Sequence, residues 1–255
     1  MKPPIVVIGL GEMGSVFARG FLRNGHPVTP ITRGIDITAI ANAMPDPALV
    51  LVAVAESDLH PTLEQMPDVW RDKLALLQNE LLPRDWQQHK LDNPTVISVW
   101  FEKKKGQESK VIIPSPVLGP HAKLINDGLA AIDIACNVLN SEDELLYELT
   151  RKNVYILTSN IAGIVTGGNV GELWAEQREF ATAVANEIID IQEHLTGTTL
   201  PREKLIDGMV EAFDGDRDHK CMGRSAPARL ARALALANEA GIDTPTLKEI
   251  AAKQR

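Results

Sequence analysis

The chain has 255 residues, 44% hydrophobic and 24% charged, with a formal net charge of -8. That is the balance of a globular protein long enough for one large domain or two modest ones. Acidity without any gathered face of Lys and Arg argues against broad nucleic-acid binding, and no apolar run reaches the roughly 18–20 residues that cross a bilayer.

The first element is Ile5-Val6-Val7-Ile8, four β-branched apolar residues that read as a buried parallel strand. They run into Gly9-Leu10-Gly11-Glu12-Met13-Gly14, a Gly-x-Gly-x-x-Gly opening an amphipathic helix over 12–24. In that setting the first glycine allows a tight turn and the second lets the backbone approach a pyrophosphate. The third lets helix and strand pack closely, and the helix N-terminus holds the phosphates. Gly9, Leu10, Gly11, Glu12, Met13 and Gly14 are therefore expected to bind a dinucleotide. Asn24-Gly25 ends the helix as a left-handed C-cap would.

A second strand over 27–31 ends in Thr32-Arg33-Gly34. An Asp or Glu at this place takes the ribose 2′-hydroxyl of NAD, whereas an Arg accommodates the 2′-phosphate of NADP. Thr32 and Arg33 thus favour NADP(H), and Asp36 falls too late to be the ribose acid. A short crossover over 36–47 leads to a third strand over 48–54, whose mouth residues Ala53 and Val54 join the cofactor set. The loop over 55–58 lies where ligands of open α/β sheets bind. A helix over 58–65, capped by Ser57 or Asp58, follows it. Residues 73–77 read as the next strand, with Gln78 and Asn79 at its mouth.

Strands over 95–101 and 110–113 are expected to form a hairpin with Lys103-Lys104-Lys105 as its solvated tip. There the sheet would change from parallel to antiparallel. Prolines and Gly119 mark a composition change over 114–120; a helix over 120–132 and a strand over 135–139 complete a first domain, 1–139. Ser141 and Glu144 form a capping box for a long helix to about Ile164. Helices over 172–195, 201–213, 227–240 and 246–253 make 140–255 a helical substrate and dimerisation domain. The fold class is α/β, an N-terminal Rossmann-type doubly wound sheet plus a C-terminal all-helical domain.

A nicotinamide exchanges a hydride, so the protein must supply or remove a proton. Lys152 lies in a helix whose other surfaces are apolar, and Asn160 follows eight residues on, about 80° round the same face. A cation and an amide so placed can bind a carboxylate or alkoxide together; the competing reading has Lys152 snorkelling to the surface. Asp214, Asp216 and Asp218 have the spacing of an EF-hand's opening ligands. His219 replaces its turn glycine and Ser225 its bidentate glutamate, so no metal is expected. His26, His60, His89, His121 and His194 show no HxH or HExxH pattern. Trp70, Trp86, Trp100 and Trp174 are spaced for core or interface packing. Cys136 and Cys221 form no CxxC pair and read as small buried residues of a cytoplasmic protein.

On these residues the chain resembles, end to end and in shortened form, the ketopantoate reductase (2-dehydropantoate 2-reductase-like) family. The glycine motif is similar to that family's NADPH fingerprint. Leu77-Gln78-Asn79 resembles its Gln-Asn-Gly, with Glu80 in the glycine's place. The segment from Leu149 to Asn160 resembles the helix whose lysine is the general acid. Gly171-Glu172-Leu173 and the run from Ala237 to Pro245 resemble two later turns. The resemblance implies an NADPH-dependent reductase of a small, anionic 2-oxo acid or related carbonyl compound. Lys152 would be its acid, Asn79 and Asn160 would orient cofactor and substrate, and the protein would be a homodimer. Ile156 stands where the family carries a second asparagine. The family also has a substrate-binding Ser-Ser-Met and a catalytic Thr-Glu in its last third; in the corresponding stretch here, Glu211 to Pro227, no glutamate stands where that residue should be, and Ser225-Ala226-Pro227 occupy the region. Two alternatives stay open: an imine or β-hydroxy-acid oxidoreductase of the same fold, and a catalytically silent NADP-binding sensor or interaction protein.

Overall fold

The computed structural model describes residues 2–253, and the chain divides into two compact units, Met1–Leu146 and Tyr147–Arg255. The first unit is built on β1 (Ile5–Ile8), α1 (Glu12–Arg23), β2 (Val28–Ile31), α2 (Ile37–Ala43) and β3 (Leu49–Val52). It continues with α3 (Leu59–Glu64), β4 (Leu74–Leu76), α4 (Pro83–Gln87), β5 (Thr95–Ile97), β6 (Phe101–Glu102) and β7 (Lys110–Val111). It closes with β8 (Ser115–Leu118), α5 (Ala122–Ala130) and β9 (Cys136–Val138). Seven strands form one sheet in the order β2-β1-β3-β4-β5-β8-β9, parallel except where β5 meets β8.

The sheet's centre is continuous apolar sequence because both faces are covered. All of β1, β3 and β4 is buried. On one face, Phe17 and Phe21 of α1 and Ile125 and Leu129 of α5 pack over Val7, Leu51 and Val117. The first crossover, through α1, places β2 on one side of β1; the second, through α2, returns the chain to the other side as β3. The order therefore reverses between β1 and β3, and the crevice outside their carboxyl ends is where such sheets take ligands.

The antiparallel step differs from the expected hairpin. β6 and β7 pair with each other in a separate two-stranded sheet, whereas the partner of β5 is β8. Pro116 hid β8 from the sequence reading, since proline removes a ladder donor. Here it is tolerated because β5 stops at Ile97. Beyond that point Ser98 N donates to Pro116 O at 2.9 Å, and Trp100 N turns to the Ser115 hydroxyl, also at 2.9 Å. The lysine turn is the expected solvated tip at Lys104 and Lys105, which are exposed, and only Lys103 folds back. The Lys103 side chain is 22% exposed, with its ammonium 3.8 Å from Glu12, and Arg19 lies 3.7 Å from Glu108.

The second unit is helical: α6 (Glu142–Thr166), α7 (Val170–Glu176), α8 (Arg178–Thr196), α9 (Arg202–Gly215), α10 (Ala226–Ala240) and α11 (Pro245–Lys253). Ser141 caps the helix as read, with Glu144 N donating to Ser141 Oγ at 3.2 Å, but the Glu144 carboxylate reaches one residue further back than a capping box would, accepting from Asn140 N at 2.7 Å. The single helix expected over 172–195 is two, broken at Gln177. No residue there breaks a helix by propensity; the break lets α7 pack on both α8 and α9, a tertiary gain that overrides local preference. Gly241 closes α10 in the left-handed region, at φ 69°. Among the described residues no helix is long and apolar enough to cross a membrane.

Candidate active site

The turn after β1 is shaped by backbone. Gly9 has φ 90°, and a Cβ there would meet the Ala53 carbonyl oxygen at 2.6 Å, so only glycine fits. A Cβ on Gly14 would overlap the Gly9 carbonyl oxygen. At Gly11 the opposite holds: a Cβ would find no atom within 4 Å, which leaves the backbone open on the side a phosphate approaches. Gly11 is also the N-cap of α1 and no side chain caps it, so a phosphate can meet that first turn.

Around this turn a groove of about 780 Å³ is lined by residues that include Gly9, Leu10, Gly11, Thr32, Arg33 and Ala53. Val54 lines it as well. Asp58, at the end of the loop read as a ligand-binding place, lines it too, as does Ile35 before α2, while Pro61 and Thr62 complete a wall whose facing depends on how α3 folds back. The expected cap of the helix over 58–65 is absent. A 3-10 turn, Glu56–Asp58, precedes α3, and neither Ser57 nor Asp58 caps it by a side chain; Ser57 Oγ bonds Asp58 instead, at 3.3 Å. Glu12 and Met13 sit in the first turn of α1, outside the groove's lining.

The acid three residues after Arg33 is engaged in α2. Asp36 Oδ1 accepts from Thr38 N at 2.9 Å and Ala39 N at 3.3 Å, as the N-cap of α2. Arg33 is exposed at the mouth of β2.

The mouths of β3 and β4 are tied together by Gln78. Its Nε2 donates to Val52 O at 2.8 Å and Val54 O at 3.3 Å, and its Oε1 accepts from Leu77 N at 3.1 Å. The sequence signal for this task is an amide residue placed directly after an apolar strand. Asn79 Nδ2 donates to Glu56 Oε1 at 3.0 Å, which turns the amide oxygen of Asn79 away from that carboxylate. Glu80 adopts φ 61°, the left-handed region.

In the second unit α6 is buried almost all round, polar residues included. Arg151 Nε donates to Gly208 O at 2.9 Å and its Nη2 to Glu211 at 3.0 Å. Asn153 Nδ2 donates to Gln192 Oε1 at 2.9 Å. Burial holds Glu148 above the usual carboxylate range, and neighbouring Arg151 opposes that shift. Lys152 is 7% exposed and does not snorkel, Ile156 is 8% exposed, and Asn160 is 8% exposed. Spaced by four along one helix, the three form a single stripe. Asn160 Oδ1 accepts from Arg229 Nη1 at 3.0 Å, a partner from α10 that sequence spacing did not reveal.

The acidic loop serves as a clasp. Arg217 binds Asp214 through Nε at 2.9 Å and Nη2 at 2.6 Å. Val170 N donates to His219 O at 2.9 Å, Gly171 N to Arg217 O at 3.0 Å, and Cys221 N to Gly168 O at 3.1 Å. Asn169 and Glu172 close a reciprocal capping box at α7, with bonds of 3.1 and 2.8 Å. Among the described residues no group of three or more His, Cys, Asp or Glu could hold a metal ion. His60 Nδ1 and His89 Nε2 are 2.9 Å apart. Burial, and then His60, push His89 down from the usual imidazole range.

Cys221 is buried, whereas Cys136 is only half-buried, against expectation, because the short strand β9 lies at the sheet edge. Burial pushes the thiols of Cys136 and Cys221 up to about 12 and about 11, so neither is a nucleophile. Trp70, Trp86 and Trp100 are core residues, while Trp174 is half-exposed beneath Arg178 at 5.0 Å.

No family model and no curated protein matches the sequence. Solved structures do match by fold. The 2-dehydropantoate 2-reductase from Methylococcus capsulatus has a TM-score of 0.71 at 14% identity, over 98% of this chain and 95% of that one. D-mandelate dehydrogenase, in a ternary structure with NADH and anilino(oxo)acetate, has a TM-score of 0.67 at 15% identity, over 96% of each chain. The dimeric ketopantoate reductase from Staphylococcus aureus has a TM-score of 0.63 at 15% identity, over 97% of this chain and 95% of that one. The chain thus has, over nearly its whole length, the ketopantoate reductase fold: an α/β nucleotide-type sheet followed by helices.

Proposed function

We propose that this protein is an NADPH-dependent oxidoreductase that reduces a small 2-oxo acid or related carbonyl compound, as a homodimer in a reducing cytoplasm. The reading rests on the uncapped glycine turn opening a groove at the sheet's switch point, with Arg33 at its rim and Asp36 committed to α2. A guanidinium without a competing ribose acid favours a 2′-phosphate. When bound there, a nicotinamide supplies the hydride.

The chain's own residues have distinct tasks. Gly9 to Gly14 bind the pyrophosphate through backbone N–H groups, and Ala53 and Val54 support the dinucleotide along the mouth of β3. Asn79, braced by Glu56, orients the carboxamide. Lys152 hydrogen-bonds the oxygen on which negative charge develops and delivers a proton to it. The fold likeness to a ketopantoate reductase and to a mandelate dehydrogenase that binds NADH with an oxo acid analogue supports the reaction class, and the dimeric S. aureus structure supports the assembly.

A second reading has its own observation. Ile156, buried between Lys152 and Asn160, removes one polar group from the catalytic stripe, as suits a nucleotide-binding protein without turnover. Oxidation of NADPH in the presence of a panel of 2-oxo acids separates the two. For the cofactor itself, NADPH and NADH are titrated calorimetrically into wild type and Arg33→Ala. Arg33→Ala should weaken NADPH by about 10–100-fold and leave NADH unchanged, the range of a charge-assisted hydrogen bond. Binding of neither nucleotide to wild type would remove the basis of the reading.

A further inference from the structure

β6 and β7 stand outside the seven-stranded sheet, and the hairpin they form lies against α1. At its base the Phe101 ring packs 5.9 Å from that of Phe17, both of them core residues. From its turn, Glu108 lies 3.7 Å from Arg19 and Lys103 Nζ lies 3.8 Å from Glu12 Oε2. The Lys103 ammonium also donates to two carbonyls of the turn, those of Lys104, at 3.0 Å, and of Gln107. These bonds hold the charge in place. Of the neighbouring lysines, the Lys104 side chain is 66% exposed and that of Lys103 only 22%.

The place where that charge is held matters more than the bond it makes. At 3.8 Å the pair lies beyond hydrogen-bond reach, and a partly exposed ion pair of this kind adds little to folding. Glu12, however, is the first residue of α1 and the one acidic residue in its first turn, directly after the uncapped Gly11. A carboxylate there complements the positive end of the helix. For the same reason it competes with any anion that approaches that end, and the phosphates of a dinucleotide approach it there. Glu12 alone would set a full negative charge beside them. Glu12 with Lys103 presents no net charge.

Resting on the reading of the glycine turn as a pyrophosphate cradle, we propose that Lys103 is a positioning residue for the cofactor. It draws the Glu12 carboxylate to the hairpin and cancels its charge, so that the N-terminus of α1 meets the pyrophosphate without a competing anion. The β6–β7 hairpin, which adds no strand to the main sheet, thereby serves as the strap that brings this cation to α1.

The test is calorimetric titration of NADPH into the full chain at low ionic strength, with thermal unfolding of the same samples free of nucleotide. Lys103→Met removes the charge and keeps the stem; it should weaken NADPH by about 3–10-fold, the scale of one unmatched charge acting on a phosphate across partly hydrated space. Lys103→Arg should retain wild-type affinity. The decisive sample is the double variant, Lys103→Met with Glu12→Gln. It carries the same net charge at this turn as wild type, so its affinity should return to within about twofold of wild type. Salt gives a second readout: the loss in Lys103→Met should fade towards 1 M, where the Debye length falls to about 3 Å. An affinity loss that Glu12→Gln does not restore, or that survives high salt, overturns the proposal, because Lys103 then acts by touching the nucleotide or by holding the fold. A drop in thermal stability beside that unrestored loss identifies the fold. Unchanged affinity in Lys103→Met overturns the proposal and leaves the reductase reading standing. Absence of NADPH binding by wild type overturns that reading, and the role of Lys103 with it.

Discussion

At the turn after β1 the groove is shaped by side chains that are missing, whereas along α6 the buried polar side chains of Arg151, Asn153 and Asn160 are braced by residues far away in sequence. Gly9, Gly11 and Gly14 lie within six residues and act through the space they leave: against Ala53, against the open groove and against one another. Lys152, Asn153 and Asn160 lie on one helix, but Arg151 is fixed by Gly208 and Glu211, Asn153 by Gln192 and Asn160 by Arg229. The difference separates two ways of making a site. Backbone cradles are written as local patterns because glycine is the only residue that can make them. Side-chain sites are written as pairs, and the partner's sequence position is set by the packing of helices.

The comparison can be broken most directly at Gly14. Gly14→Val forces branched carbons onto the Gly9 carbonyl. The expected result is NADPH affinity reduced more than about 100-fold with about 1–3 kcal/mol of stability lost to overpacking, read by calorimetric titration and urea unfolding. Tight NADPH binding by the variant would mean that the turn is not the cradle.

Lys152→Met is the corresponding cut in the other region. It keeps length and apolar bulk while removing the proton donor. Turnover of a reducible oxo acid should fall by about 10²–10⁴, with NADPH affinity within about twofold of wild type, measured by single-turnover absorbance and titration. Loss of cofactor binding instead would show that Lys152 acts through the fold rather than on the substrate.

The smallest effect sharpens the contrast between glycine and its substitutes. Glu80 sits in the left-handed region at φ 61°, where the resembled family carries glycine. Relief of that conformation, partly offset by glycine's greater freedom when unfolded, should make Glu80→Gly more stable by about 0.5–1 kcal/mol. Thermal unfolding checks it, with Glu80→Ala as the control that should gain nothing.

Several elements were legible because their physics is local. The runs of β1, β3 and β4 are apolar throughout because both sheet faces are covered. The Ser141 cap on Glu144 N and the glycine closing α10 are contained within a few residues each. Others were illegible because their physics is not local. Pro116 disqualified β8 by every local rule, and only the early end of β5 admits it. Gln177 breaks a segment of good helix formers because α7 packs in two directions. Within a basic run whose Lys104 and Lys105 are solvated as read, Lys103 alone folds back, its ammonium 3.8 Å from Glu12.

The sequence by itself determined the parallel core, the glycine turn with its open N-terminus, the arginine after the second strand and the helical second half. Each of these is a pattern with a fixed period or a fixed steric demand. Tertiary structure alone decided that Asp36 caps α2 rather than standing at the rim, that Gln78 joins two strand mouths, that the acidic loop clasps the Gly167–Gly171 turn, and that Arg229 reaches Asn160. A hydrogen bond needs its partners about 3 Å apart, and a chain of this length can bring almost any two residues to that distance, so only packing selects the pair.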